Sequence, residues 1–307
     1  MELKTKFDDT FWKSETRSDY FVSEKEKKIW AVEIDLLNEL LRVCDKYNLK
    51  VFVFAGTLLG AVRHNGFIPW DDDLDVCLTR EDYERLLEVG INEFREPYFL
   101  QHALSDKKYF IGYARLRNSK TTGIIKWNYS KEYNNGIYID IVPMDGYIDN
   151  KESLTRLFRK RNRIERLIGI YLNKSDGKFF KKFFRNILRF LLRAFVKYSF
   201  LVKKYNKVVT TFNKKTDKVS VLTDSPIFSK YWCYKSDLFE SIKIKFENIL
   251  VPVPKEYDSI LTNLYGDYNC LPPKEKRGEW HKGKIYFDPE TPYLVSMDKE
   301  IDFDGTD

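Results

Sequence analysis

The spacing of hydrophobic positions in the first 150 residues switches repeatedly between helical and strand-like patterns. Ser23-Glu24-Lys25-Glu26 has the form of a capping box, and apolar residues follow it at helical spacing from Ile29 to Val43. The pattern predicts strands over residues 50–55, 73–78, 109–117 and 136–142, and a further helix that starts at Thr79. This alternation is typical of an α/β or α+β fold with a mixed sheet core and flanking helices.

The composition divides the chain into three parts. Residues 1–150 form the α/β core, and residues 151–216 have a basic, aromatic-rich pattern of helical spacing. From residue 217 to residue 307 the composition is mixed again, and prolines mark the loops. We therefore predict a basic helical insertion between an N-terminal core and a C-terminal part that completes the same domain.

Length and composition indicate a globular protein. The 307 residues, 43 % of them hydrophobic, are enough to bury a core without disulfides or a structural metal. No uncharged apolar run reaches the roughly 18–20 residues that span a bilayer, and the N-terminus lacks the apolar region of a secretory signal. The four cysteines lie far apart, which favours reduced thiols over a zinc site. A cytoplasmic protein is therefore expected.

The charge is distributed unevenly along the chain. The whole chain has a net charge of +7, whereas residues 151–216 contain 20 Lys and Arg against three acids. The rest of the chain is therefore net acidic, unlike a uniformly basic nucleic-acid binder, and no zinc-finger or RNP pattern is present. No nucleic-acid partner is expected, and the basic segment indicates a localised anionic partner.

One helix of the basic segment has a two-sided pattern. At about 100° per residue, Lys182, Arg185, Arg189, Arg193 and Lys197 share one face, and large apolar residues fill most of the remainder. This pattern predicts a helix in the interface of an anionic membrane, which would make the protein peripheral on the inner face of the cell membrane. The alternative is a core helix whose long basic side chains extend to water.

The most informative stretch for chemistry is Asp71-Asp72-Asp73-Leu74-Asp75. On a strand, Asp73 and Asp75 would project from the same face roughly 6.6 Å apart along the chain. Neighbouring carboxylates repel each other, and hard oxygen ligands of this kind suit Mg²⁺ or Mn²⁺. We therefore predict a metal site at Asp73 and Asp75, with a solvated acidic loop as the alternative. Asp71 and Asp72 either bind a second cation, hold Arg63 or are solvated.

Residues on both sides of this stretch extend the predicted site. Upstream, Gly56 and Thr57 form a small-residue turn in which backbone N–H groups and a hydroxyl can approach a phosphate. Downstream, Asp140 lies on a predicted strand with apolar neighbours on the opposite face. A phosphate turn and three strand carboxylates are the layout expected for metal-assisted phosphoryl transfer.

Basic side chains near the acidic stretch are candidates for contacts with the phosphoryl donor. Arg63 is predicted to contact a phosphate, and His64 either contacts the donor or shapes the loop. Arg115 and Arg117 alternate on a predicted strand, so both guanidinium groups face one side and suit a diphosphate. Ion pairs with nearby acids are the alternative for these two arginines. His281 either touches a substrate or is structural.

The run FAGTLLGAVRHNGFIPWDDDLDV, at residues 54–76, closely resembles the signature of the LicD family, which is related to fukutin-related protein. YARLRNSKTT at residues 113–122, NNGIYIDIVPMDG at residues 134–146 and a terminal stretch with Tyr265-Gly-Asp267 and Phe287-Asp288 extend the resemblance, which does not include the basic segment. It implies a nucleotidyltransferase-like fold that transfers a phospho-alcohol from a CDP-linked donor to a sugar hydroxyl and releases CMP. Phosphocholine is the best-known group in bacterial members. The acceptor that the resemblance implies is a cell-surface glycan, such as teichoic acid or lipopolysaccharide, or its lipid-linked precursor.

The resemblance also implies roles for individual residues. Asp73 and Asp75 match the metal-binding pair, Asp140 matches the third carboxylate, and Gly56 and Thr57 match the phosphate-facing turn. Asp140 either ligates a metal or accepts the proton of the attacking hydroxyl. Two alternatives stay open: a true nucleotidyltransferase that releases pyrophosphate, and an inactive relative that binds a membrane or a glycan.

Overall fold

The computed structural model describes residues 2–106, 108–126, 130–173, 179–224, 231–278, 284–297, 301 and 303. The helices are α1 (Glu24–Lys46), α2 (Ala55–His64), α3 (Arg80–Glu93), α4 (Lys151–Leu172), α5 (Phe179–Phe195), α6 (Tyr198–Val209), α7 (Tyr257–Tyr265) and α8 (Tyr293–Ser296). The strands are β1 (Glu15–Arg17), β2 (Tyr20–Val22), β3 (Val51–Val53), β4 (Asp75–Thr79), β5 (Tyr98–Gln101), β6 (Ala114–Asn118), β7 (Thr122–Ile125), β8 (Ile137–Gly146), β9 (Lys218–Ser220), β10 (Trp232–Tyr234), β11 (Ser241–Phe246), β12 (Ile249–Pro254) and β13 (Ile285–Asp288).

The central sheet has the strand order β10-β9-β8-β4-β3, and β6 joins it through β8, with β5 beyond β6. The long strand β8 is parallel to β4 and antiparallel to β6 and β9. Parallel and antiparallel pairings therefore occur in one sheet, and the predicted mixed α/β fold is confirmed. Strands β9 and β10 come from beyond the basic segment, and β13 pairs with β7.

Helix α1 packs its apolar face into the main core beneath this sheet. It begins after Ser23, whose side chain accepts from the Glu26 backbone N–H while the Glu26 carboxylate accepts from the Ser23 backbone N–H. The predicted capping box is therefore present. Trp30 on this helix is fully buried and stacks on Phe67, with 4.7 Å between the ring centroids.

Three predicted strands are shorter than their sequence patterns, and β3 keeps only Val51–Val53 of residues 50–55. β4 begins only at Asp75, because the Asp75 backbone N–H donates to the Thr57 hydroxyl, so Asp73 lies before the strand. β6 begins only at Ala114, after Gly112 with a φ of +89°. A side chain at Gly112 would collide with the Tyr205 hydroxyl, so this turn is set by the helix α6 packed on it.

The basic segment forms helices, as predicted. α4 and α6 pack together around a second, smaller core that includes Leu157, Ile168 and Tyr205. Within the described part of the chain, no helix is long and apolar enough to cross a membrane. The four cysteines are free thiols, of which only Cys270 is exposed.

Candidate active site

A row of charged side chains crosses three neighbouring strands of the central sheet. Asp75 on β4 lies beside Asp140 on β8, and Asp140 in turn lies beside Arg115 on β6. The Asp140 backbone N–H donates to the Leu74 carbonyl over 2.9 Å, which holds the two aspartates at the same level. The strand pairing thus brings together three residues that the sequence proposed separately.

Arg115 and Asp140 form the best-defined contact in this row. The Arg115 Nε donates to Asp140 Oδ1 over 2.5 Å, and its Nη2 donates to Oδ2 over 3.3 Å. The Tyr113 hydroxyl also donates to Asp140 Oδ2, over 3.1 Å. The third nitrogen, Nη1 of Arg115, is buried and has no hydrogen-bond partner among the described residues. This nitrogen is a free donor on a guanidinium that is paired with Asp140, which suits a phosphate oxygen.

The acidic loop before β4 carries strong mutual repulsion. Burial and the charges of Asp73 and Asp72 raise the pKa of Asp71 well above its ordinary value. Burial and the charges of Asp73, Asp140 and Asp224 likewise raise the pKa of Asp75, although Arg115 opposes the shift. Carboxylates that raise one another's pKa in this way bind protons or cations readily.

Helix α1 adds Glu33 to this acidic group. Its side chain is 1 % exposed, and Oε2 has no hydrogen-bond partner among the described residues. Burial, followed by the charges of Asp72 and Asp73, raises the pKa of Glu33 well above its ordinary value. A buried carboxyl with a free oxygen beside four aspartates is an unfilled acceptor at the site.

The predicted phosphate turn positions the acidic loop. The Thr57 hydroxyl accepts from the Asp75 backbone N–H over 2.8 Å and so sets the start of β4. At Gly56, a Cβ atom would lie 2.8 Å from Asp71 Oδ2, so only glycine lets that carboxylate reach the helix. Both residues therefore lie at the site, in direct contact with its aspartates.

Arg63 and His64 lie at the end of α2. The Arg63 Nε donates to His64 Nε2 over 3.0 Å, and its Nη1 donates to the Tyr268 carbonyl over 2.8 Å. Burial, and then the charge of Arg63, lower the pKa of His64 to about 4, so the imidazole is neutral at pH 7. These contacts tie the end of α2 to the C-terminal part of the chain.

Arg117 faces the same side of β6 as Arg115 but lies deeper in the core. Both guanidinium groups lie over the ring of Tyr138, at 3.9 Å for Arg115 and 4.7 Å for Arg117. Arg117 is 1 % exposed and donates to the Gln101 side chain and the Gly136 carbonyl. We refer to the neighbouring aspartates Asp75 and Asp140 as the acid row. Of the two arginines, only Arg115 contacts it, through Asp140. His281 lies outside the described residues.

A divalent cation fits the chemistry of these ligands. The described residues contain no group of three or more His, Cys, Asp or Glu placed to hold an ion by themselves. Mg²⁺ usually keeps several waters and is bound by one or two carboxylates together with substrate phosphates. Crowded carboxylates with raised pKa values and the free oxygen of Glu33 match a site that a phosphate-bound cation completes.

The sequence patterns left several site residues unnoticed. Glu33 could have been found from the sequence, because it is an acid on the apolar face of α1, at helical spacing from Trp30 and Leu37. Tyr113 could also have been found, because it lies two residues before Arg115 and so projects from the same side of an extended chain. Asp224, whose charge acts on Asp75, had no local signal. Tyr265, whose pKa is raised by burial and then by Tyr231 and the nearby aspartates, was noticed only within the terminal stretch of the family resemblance.

Comparison with known proteins matches the region that holds this site. Residues 48–166 match the family model described as LicD/FKTN/FKRP, nucleotidyltransferase domain. The chain is 29 % identical over 262 residues to the lipopolysaccharide cholinephosphotransferase LicD of Haemophilus influenzae, covering 82 % of this chain and 94 % of that protein. It is 36 % identical over 113 residues to an uncharacterized protein of Rickettsia prowazekii, covering 36 % of this chain and 38 % of that one.

Fold and site together define a mixed α/β protein whose candidate active site is a row of charged side chains across β4, β8 and β6. More particularly, the chain contains a domain of the LicD family at residues 48–166. The resemblance noted in the sequence is therefore confirmed. Asp75, Asp140 and Arg115 all lie within the matched residues, whereas Glu33 and α5 lie outside them.

Proposed function

We propose that this protein is a metal-dependent phosphotransferase that moves phosphocholine, or a related phospho-alcohol, from a CDP-linked donor to a sugar hydroxyl of a glycan and releases CMP. The observation that carries the proposal is the match to a lipopolysaccharide cholinephosphotransferase over 94 % of that protein's length. The acid row lies inside the matched family domain, which supports the same chemistry.

The proposed cation site uses Asp73 and Asp75, with Glu33 and Asp71 close by. When bound, Mg²⁺ or Mn²⁺ would neutralise the negative charge that develops on the donor diphosphate. Thr57 holds the backbone of Asp75, and Gly56 gives room to Asp71, so both residues keep the carboxylates in position. Asp72 lies in the same acidic loop. Arg63 holds the end of α2 to the C-terminal part of the chain, and His64, as a neutral imidazole, accepts from Arg63.

Arg115 is the proposed phosphate contact of the protein itself. Two of its nitrogens hold Asp140, and the free Nη1 is directed to a donor oxygen beside the acid row. A guanidinium already fixed by a carboxylate and two tyrosine rings loses little further freedom on binding. Pre-organised positive charge of this kind stabilises a phosphoryl-transfer transition state.

Asp140 has two candidate roles, as a cation ligand or as acceptor of the proton from the sugar hydroxyl. A Mg²⁺ titration of the Asp140→Asn variant separates them. Loss of a ligand raises the Mg²⁺ concentration required for half-maximal rate, whereas loss of a base lowers kcat at an unchanged Mg²⁺ requirement.

The description of the matched family model favours a second candidate, a true nucleotidyltransferase that releases pyrophosphate from CTP. The experiment is an incubation with Mg²⁺ and either CTP or one of several CDP-alcohols, including CDP-choline, with a glycan acceptor. CMP from a CDP-alcohol supports the proposal, and pyrophosphate from CTP supports the second candidate. Release of neither product, with wild-type and Asp75→Asn protein indistinguishable, would identify an inactive relative.

A further inference from the structure

Helix α5 presents a large apolar face that no described residue covers. Seven large apolar side chains on this helix are exposed: Phe183, Phe184, Ile187, Leu188, Phe190, Leu191 and Phe195. The most exposed of them is Phe195, at 83 %. A surface helix of a soluble protein normally turns such a face to the core. The alternative of a core helix with basic chains extending to water is therefore wrong.

Arg185, Arg189 and Arg193 lie on the opposite side of α5, and Arg193 contacts α4. At about 100° per residue the exposed apolar side chains span an arc of about 160°, and Arg185, Arg189 and Arg193 lie across the helix from its centre. The Arg193 guanidinium lies 5.7 Å from the ring of Tyr171 on α4, and Arg189 is half-buried. The apolar face therefore points away from the protein, with Arg185 and Arg193 nearest its two edges.

The charge around the apolar face of α5 indicates which kind of partner can bind it. From residue 177 to residue 216 the chain has twelve Lys and Arg and no Asp or Glu. Lys203, Lys204 and Lys207 on α6 are exposed beside Phe200, which is also exposed. A second copy docked on the same face would bring these like charges together, whereas an anionic lipid surface complements them.

We propose that the apolar face of α5 inserts into the headgroup region of an anionic membrane, with Arg185 and Arg193 on the lipid phosphates. The benefit of membrane binding to the protein rests on the proposed function, because a lipid-linked acceptor would be presented at the same membrane surface. Binding itself needs the helix and the charges, and it does not depend on catalysis.

The helices next to α5 connect this face to the acid row. The Tyr198 hydroxyl on α6 donates to the Tyr109 carbonyl over 3.3 Å, and the Tyr205 hydroxyl donates to the Thr223 carbonyl over 3.1 Å. Tyr109 lies in the segment that leads to Tyr113, the hydrogen-bond donor to Asp140. Docking of α5 would therefore hold the active site at a constant position relative to the lipid surface.

The test is sedimentation of the full chain, without substrate, with vesicles of phosphatidylcholine alone or of equal parts phosphatidylcholine and phosphatidylglycerol. We expect binding to the anionic vesicles at low salt and weaker binding at high salt. Phe184→Asp/Phe195→Asp should bind at least about tenfold more weakly, because two aromatic anchors are lost. The matched control is Phe21→Asp/Ile91→Asp, two residues each 63 % exposed on other elements, and it should bind like wild type.

A second pair of variants tests the charges. Arg185→Glu/Arg193→Glu should lose the salt-sensitive part of binding, whereas Arg85→Glu/Lys255→Glu, with the same change in net charge, should keep it. Wild-type protein that stays in the supernatant at low salt would overturn the proposal, and so would equal binding by Phe184→Asp/Phe195→Asp. A dimer that this variant converts to a monomer, without vesicle binding, would assign the face to a second copy. Vesicle binding and product release are measured separately, so failure of either proposal is recognised independently.

Discussion

Asp75 and Asp140 lie side by side on two parallel strands, although one precedes and the other follows the segment that supplies Arg115. Strand β6, which pairs with β8, brings Arg115 into contact with Asp140, with 2.5 Å between Arg115 Nε and Asp140 Oδ1. Asp140 therefore lies between a carboxylate that repels it, Asp75, and a guanidinium that attracts it, Arg115. The Arg115–Asp140 ion pair stabilises the site, whereas the repulsion between Asp75 and its neighbouring carboxylates destabilises it. Mutations that remove the ion pair and mutations that remove the repulsion should therefore have opposite effects on stability.

Replacement of Asp75 by Asn tests the repulsive part. Turnover should be nearly abolished, because a proposed cation ligand is lost, while the fold should be retained. Without divalent cations the melting temperature should be equal to or higher than that of wild type, because the Asn side chain no longer repels Asp73 and Asp140. Product release and thermal melting with and without Mg²⁺ are the measurements. Near wild-type turnover by this variant would exclude the cation role of Asp75.

Replacement of Arg115 by Met tests the attractive part. The Asp140 side chain is only 16 % exposed, so loss of its partner leaves a poorly solvated charge. We expect a loss of about 3 kcal/mol in the free energy of unfolding, measured by urea denaturation. The double variant Arg115→Met/Asp140→Asn should recover part of this loss, because the unpaired charge is then removed. No recovery would mean that Arg115 stabilises the fold through Tyr138 and Tyr113 instead.

Replacement of Gly56 by Ala tests the close approach of Asp71. The added methyl group would lie 2.8 Å from Asp71 Oδ2, and the carboxylate must move. We expect a tenfold to hundredfold loss of turnover, on the order of what a small displacement in a catalytic site costs. The loss of stability should be small, because a side-chain end moves and alanine favours the helix.

Gly169 supplies the control for this variant. It lies within α4, and a Cβ atom there would have no neighbour within 4 Å. Gly169→Ala should therefore raise the free energy of unfolding by about 0.5–1 kcal/mol at unchanged turnover. Equal turnover in the two alanine variants would contradict the role of Gly56.

Glu33 predicts a pH dependence of stability. Its pKa in the folded protein is raised by burial and by the neighbouring aspartates, so the folded chain binds a proton that the unfolded chain releases near pH 4.5. Stability should therefore fall as the pH rises from about 4.5 towards the raised pKa. Glu33→Gln should weaken this fall, and its melting temperature relative to wild type should increase with pH.

The control for Glu33→Gln is Glu93→Gln. Glu93 is the last residue of α3, and hydrogen bonds from Lys46 and Tyr47 lower the pKa of its carboxylate. In the folded protein this carboxylate ionises below pH 4.5, so its stabilising contribution grows as the pH rises towards about 4.5 and is constant above that value. Glu93→Gln should therefore lose stability relative to wild type over this acid range and keep a constant difference at higher pH. Melting curves in a chelating buffer from pH 3 to pH 8 compare the two. Parallel curves for wild type and Glu33→Gln would show that Glu33 is not buried beside the aspartates.

The sequence by itself determined the local elements and the chemistry of single segments. The capping box at Ser23, the helix after Thr79, the basic helices and the acidic loop with Gly56 and Thr57 all follow from short-range patterns, because turns, caps and periodicity depend on neighbouring residues. The LicD resemblance likewise depends on contiguous motifs, which are recognisable along the chain without knowledge of how the strands pair.

Only the tertiary structure decided which residues meet. Pairing of β8 with both β4 and β6 placed Arg115 on Asp140 and left Arg117 in the core, although both arginines share one side of their strand. Packing of α1 brought Glu33 to the aspartates, and packing of α4 and α6 left the apolar face of α5 outside. Strand register and helix packing depend on contacts between residues far apart in the chain, and local spacing does not contain that information.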